Sequence, residues 1–131
     1  PPVTYASLED ALAAYQITTQ LAPTWFPEEY RLIIVDADEM KEGVSIIAKY
    51  KFEDKALSFT IREITGPNNF KNVEKDGQDV QIYEAGGIDH YIMSNNGEMT
   101  AIWVNESFEC MISGKVSRAV LQKMINSVYE R

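Results

Sequence analysis

The chain has 131 residues, of which 45% are hydrophobic and 24% charged, and it carries a net charge of −8. That size and balance describe one globular domain able to bury its own core, and they exclude intrinsic disorder. With 20 acidic against 12 basic residues and its lysines scattered, the chain lacks the positive footprint needed on a nucleic-acid backbone and is not drawn to anionic lipid headgroups.

Ser7-Leu8-Glu9-Asp10 sets a serine cap ahead of an acid three positions on, a variant of the capping box. Leu8, Ala11, Leu12 and Tyr15 then mark one face of a short helix. Leu21 to Pro27 cannot be helical throughout, because Pro23 and Pro27 each push the preceding residue toward extended geometry. Trp25 and Phe26 are expected to pin this linker to the core. From Tyr30 the period changes to two, and Tyr30–Ala37, Val44–Phe52 and Ala56–Ile64 are predicted strands. Glu53-Asp54-Lys55 is a compact hairpin connection. Ile46, Ala48 and Tyr50 alternate with Ser45, Lys49 and Lys51, and Leu57, Phe59 and Ile61 with Ser58, Thr60 and Arg62. Each strand therefore covers a core with one face and meets water with the other.

Gly66 to Gly77 carries the turn signals Gly66-Pro67-Asn68-Asn69 and Asp76-Gly77 and reads as the least ordered part. Strands resume at Asp79–Ala85, Ile88–Ser94, Met99–Asn105 and Phe108–Ser113. Asn96-Gly97 is the strongest hairpin signal, since both residues tolerate positive φ. Gly86-Gly87 marks a bulge or bend. Ser117 caps the last helix, with Val120, Leu121, Met124, Ile125 and Val128 as its apolar stripe. Helix, about seven short strands, helix, with short connections, predicts an α+β fold. A mostly antiparallel, curved sheet carries N-terminal and C-terminal helices packed on it, in one domain spanning residues 1–131.

The chemistry-bearing residues are few. His90 is the single histidine, so any Ser-His-Asp arrangement has to use it. Its neighbour Asp89 points to the opposite face of a strand, so a surface or cross-strand histidine is the favoured reading. Asp36, Asp38 and Glu39 offer carboxylates of the kind calcium takes, but Met40 and Lys41 do not continue an EF-hand, and a solvated strand end is favoured. Glu28-Glu29, Glu74 with Asp76, and Glu106 with Glu109 are equally non-specific acid pairs. Cys110, the one cysteine, permits no intramolecular disulfide and reads as a buried, inert thiol between Phe108 and Ile112. Asn105-Glu106-Ser107 matches a glycosylation sequon, with turn chemistry as the plainer role. The aromatics Trp25, Phe26, Tyr50, Phe52, Phe59, Tyr83, Tyr91, Trp103 and Phe108 read as core, with a ligand groove as the rival reading. No phosphate-cradling glycine loop is present. The expected catalytic, cofactor-binding and metal sites are therefore none.

AIWVNESFECMISGKVSRAVLQKMINSV resembles the closing motif of a bacterial domain-of-unknown-function family. The motif is a Trp strand, an aromatic-x-x-x-Ile-Ser-Gly strand, and a Ser-capped helix ending near a Ser-hydrophobic pair. Here these are Trp103, Phe108, Ile112, Ser113, Gly114, Ser117, Leu121, Ile125, Ser127 and Val128. Pro27 to Leu32 is similar to the family's Pro-Glu-Gly-Tyr segment, with Glu29 where glycine is usual, and the opening SLEDALAAY is similar to the family's start. The resemblance implies a Gram-positive, extracytoplasmic domain at the C-terminal end of a membrane-anchored, sometimes anti-sigma-factor-like, protein. It supplies no catalytic residues.

No apolar run in the chain approaches the ~20 residues of a membrane span, and no signal-peptide pattern is present. The chain opens on Pro1-Pro2, so an anchor or export signal is expected upstream in a longer parent. The functional expectation is a non-enzymatic sensing or interaction domain, in sigma-factor or envelope-stress regulation, whose partner is an unknown protein or small molecule. The alternative is a carrier holding a hydrophobic ligand in the cup of the sheet, and the third reading is a hydrolase built on His90 and Asp36. Specificity is expected in the middle, around Gly66 to Gly87.

Overall fold

A computed structural model describes residues 1–65 and 79–130. The period-two segments form β2 (Arg31–Met40), β3 (Gly43–Phe52), β4 (Lys55–Glu63), β5 (Val80–Ala85), β6 (Ile88–Asn95), β7 (Glu98–Asn105) and β8 (Phe108–Gly114). An eighth strand, β1 (Val3–Tyr5), corrects the expected count of seven. Three residues are too few to display alternation. What makes them a strand is a long-range pairing of Val3, Thr4 and Tyr5 with Ala37, Asp36 and Val35. The strands form one open, wholly antiparallel sheet in the order β1-β2-β3-β4-β8-β7-β6-β5. The turn signals of Gly66 to Gly77 and the Glu74–Asp76 pair lie outside the described residues.

Among the described residues two helices form, and each begins where its serine places it. α1 (Leu8–Ala14) starts after Ser7, whose Oγ accepts from the Asp10 backbone N–H at 3.1 Å. α2 (Arg118–Tyr129) starts after Ser117, whose Oγ accepts from the Val120 N–H at 3.1 Å. Asn96 and Gly97 adopt φ values of 53° and 80°, the left-handed pair that a two-residue hairpin needs. Gly86 and Gly87, expected as a bulge or bend, form a second tip of this kind with φ values of 59° and 76°. A Cβ at Gly86 would collide with the Tyr129 ring, whereas one at Gly87 would meet open space. The register irregularity lies instead between Leu32 and Ile34 on β2.

The helices and the linker share one face of the sheet. Leu121, Met124, Ile125 and Val128 of α2 join Phe59, Ile92, Trp103 and Ile112 in the core, while α1 contributes Leu8 and Ala11. Between the helices the 15–30 segment crosses as a series of turns and bends. Leu21 is fully buried, Phe26 stacks on Tyr50 at 4.3 Å, and the Lys123 ammonium sits 4.1 Å from the Trp25 ring centroid.

One serine sews this linker to α2. The backbone N–H groups of Thr24 and Trp25 both donate to Ser127 Oγ, at 3.0 and 3.2 Å. The Thr24 hydroxyl donates to the Ser127 carbonyl at 2.7 Å, and Ser127 Oγ donates in turn to the Met124 carbonyl at 2.6 Å. Ser127→Ala leaves two part-buried amides without their acceptor, so it should lower stability by about 1–3 kcal/mol in urea unfolding at unchanged m-value.

Candidate functional site

Alternation along β6 carries Asp89 outward and His90 inward. His90 is fully buried and is the cross-strand partner of Tyr83, so of the two expected placements, surface or cross-strand, it takes the cross-strand one. Its Nδ1 lies 3.1 Å from the Tyr83 carbonyl of β5, and its Nε2 lies 2.7 Å from the Tyr129 hydroxyl of α2. A carbonyl only accepts, so Nδ1 bears the hydrogen and the Nε2 lone pair receives the Tyr129 O–H. The ring centroid is 4.8 Å from that of Trp103. Burial pulls the imidazole below its usual pKa, with opposing hydrogen bonds at the Tyr83 and Ile88 backbone and the Asp89 charge only partly restoring it. Burial also pushes the Tyr129 phenol up, aided by Cys110. Both stay neutral near pH 7, with both His90 nitrogens engaged in bonds that join the sheet to α2.

The remaining candidates are dispersed. Asp36 accepts a hydrogen bond from the Thr4 hydroxyl at 2.9 Å and so ties β1 to β2. Asp36 and Asp38 occupy the sheet face opposite His90, and Glu39 points the other way at the end of β2. Among the described residues no group of three or more His, Cys, Asp or Glu could hold a metal ion. Glu109 pairs with Arg62 at 2.7 Å, and Glu106 occupies a hairpin tip at φ 55°. Asn105 of the sequon donates to the Gln20 carbonyl at 3.3 Å, beside that tip. Cys110 is fully buried, and desolvation pushes its thiol well above the ordinary range. Among the aromatics, Trp103 and Phe59 are fully buried and stack at 6.2 Å. The Tyr83 hydroxyl donates to Asn126 Oδ1 at 2.8 Å.

A recess among the described residues lies elsewhere. A half-open groove of about 890 Å³ runs between α1 and the linker, at the β2 end of the helix-bearing face. Leu12, Ile17, Leu21, Phe26, Leu32 and Tyr50 give it apolar walls. Burial pushes the Tyr50 phenol up to about 12, so that wall is neutral too. Gln16, Thr18, Thr19 and Thr24 supply polar side chains around it, and Glu9 is the one ionisable carboxylate in the lining. Leu32, the cross-strand partner of Tyr50, is 42% exposed. The groove exists because α1 ends at Ala14 and the chain returns as an irregular segment rather than as a second covering helix. No sequence motif announces it, since the same leucines fit a core.

A family model described as a domain of unknown function (DUF4367) matches residues 20–128. The matched span runs from the linker through α2 and leaves β1 and α1 ahead of it. No curated protein matches the chain.

Proposed function

Because this chain belongs to the DUF4367 family, whose function is unknown, we propose a reading of our own: a non-enzymatic, extracytoplasmic sensing or interaction domain of a membrane-anchored bacterial protein. Its place would be in sigma-factor or envelope-stress regulation in a Gram-positive cell. The observation that carries this reading is the groove. It is open and apolar, and its linker wall is bonded through Thr24 and Trp25 to Ser127 near the end of α2. An occupant that shifts the linker would thereby shift α2, which is what a sensing domain requires. His90, by contrast, is enclosed between strand and helix. Among the described residues no helix is long and apolar enough to cross a membrane.

Intact cells making the native parent protein test the address. A membrane-impermeant protease should remove the domain from unbroken cells. Full protection until the cells are lysed would sink the extracytoplasmic reading.

The second reading is a carrier of a hydrophobic small molecule. The groove volume favours it, lying within the roughly 300–1,000 Å³ typical of ligand sites. The ligand space would then lie beside α1 rather than in the cup, where the α2 stripe packs on Phe59 and Trp103. A complete reading frame with an export signal and no anchor favours the carrier over the sensor.

A further inference from the structure

We propose that the groove between α1 and the linker binds a cationic amphiphile, its apolar body against Leu12, Ile17 and Phe26 and its positive group at Glu9. The proposal rests on the reading of this groove as the binding site, and it adds the chemistry of the occupant.

Charge complementarity selects the occupant. Glu9 stands exposed on α1, and among the described residues the ion pair is Arg62 with Glu109, leaving Glu9 in none. No lysine or arginine lines the groove to receive an anion. Asp10 follows Glu9 on α1 and adds to the negative charge at that end of the helix. The domain as a whole carries −8, so a fatty-acid or phosphate head is repelled on approach. Thr18, Thr19 and Gln20 offer hydroxyls and an amide that hydrogen-bond to a head group of either sign and so do not oppose a cation.

The test titrates the domain with decylammonium chloride, decanol and sodium decanoate, each below its micelle concentration. Binding is followed by calorimetry and by backbone amide shifts in NMR. Decylammonium should bind about threefold tighter than decanol and about tenfold tighter than decanoate, the scale of a partly exposed ion pair gained in one case and a like-charge contact in the other. Shifts should cluster in residues 8–26. Glu9→Gln, an exposed change that keeps the folded spectrum, should bring decylammonium to the level of decanol. Equal binding of all three probes in the groove, or an unchanged order in Glu9→Gln, overturns the cationic occupant while leaving the groove as a binding site. No shift in residues 8–26 with any probe overturns both.

Discussion

Trp103→Ala should lower the free energy of unfolding by about 3–5 kcal/mol, measured by urea or thermal denaturation. The indole is fully buried at the centre of the sheet's covered face. It stacks on Phe59 at 6.2 Å, sits 4.8 Å from His90, and is the cross-strand partner of Cys110. Alanine would leave a cavity walled by β-strands that cannot collapse, and such cavities set the upper part of the range. Trp103 Nε1 has no acceptor among the described residues, so Trp103→Phe, which removes that N–H with part of the ring, should cost clearly less. A Trp103→Ala protein with native stability and altered ligand binding would instead place the indole in a binding site.

The second large effect is a loss of stability in mild acid centred on His90. In the unfolded chain this imidazole titrates near 6.5, and in the fold burial holds it lower. A depressed folded value means that the unfolded state takes up the proton first. The contribution is therefore fully present above pH 6.5 and is lost as pH falls below it, until the folded-state value is passed. The slope is at most about 1.4 kcal/mol per pH unit. Protonation also removes the lone pair that receives the Tyr129 hydroxyl, so the end of α2 is the first part to loosen. A His90→Gln variant isolates the part of the pH dependence that belongs to the histidine. The substituted amide is uncharged at every pH, so the stability difference between the two proteins should narrow from pH 7 to pH 5. Parallel curves over that interval would show that His90 is not the group responsible.

Much of the fold was legible where a local rule and the tertiary structure agree. Ser7 and Ser117 cap helices, Asn96-Gly97 turns a hairpin, and the alternation of β3 and β4 assigns their faces. β1 was not legible, because its existence depends on the distant edge of β2. The burial of His90 does have a sequence signal: Ile88, His90 and Ile92 recur at period two on the face that meets α2. Its Tyr129 partner lies 39 residues away and has none. Ser127 is part of the closing motif by which the family resemblance is recognised, and its bonds to the linker give that position a physical reason. The groove was illegible for a different cause. Leu12, Ile17 and Leu21 satisfy a core pattern, and only the path of the chain after Ala14 turns part of that surface into a recess.

The strand order also dictates how the chain can find its structure. β2 to β4 and β5 to β8 are two runs of neighbouring hairpins, each built from contacts close in sequence. Among the described residues, the ladder of Leu57–Glu63 against Phe108–Gly114 is the strand pairing that joins them. Local hairpins close on the order of microseconds, whereas a pairing of such separation must first meet the entropy of closing the intervening chain. The seam of β4 and β8 is therefore the costliest strand pairing to close, and substitutions there are expected to slow refolding more than substitutions in the turns, as stopped-flow kinetics would measure.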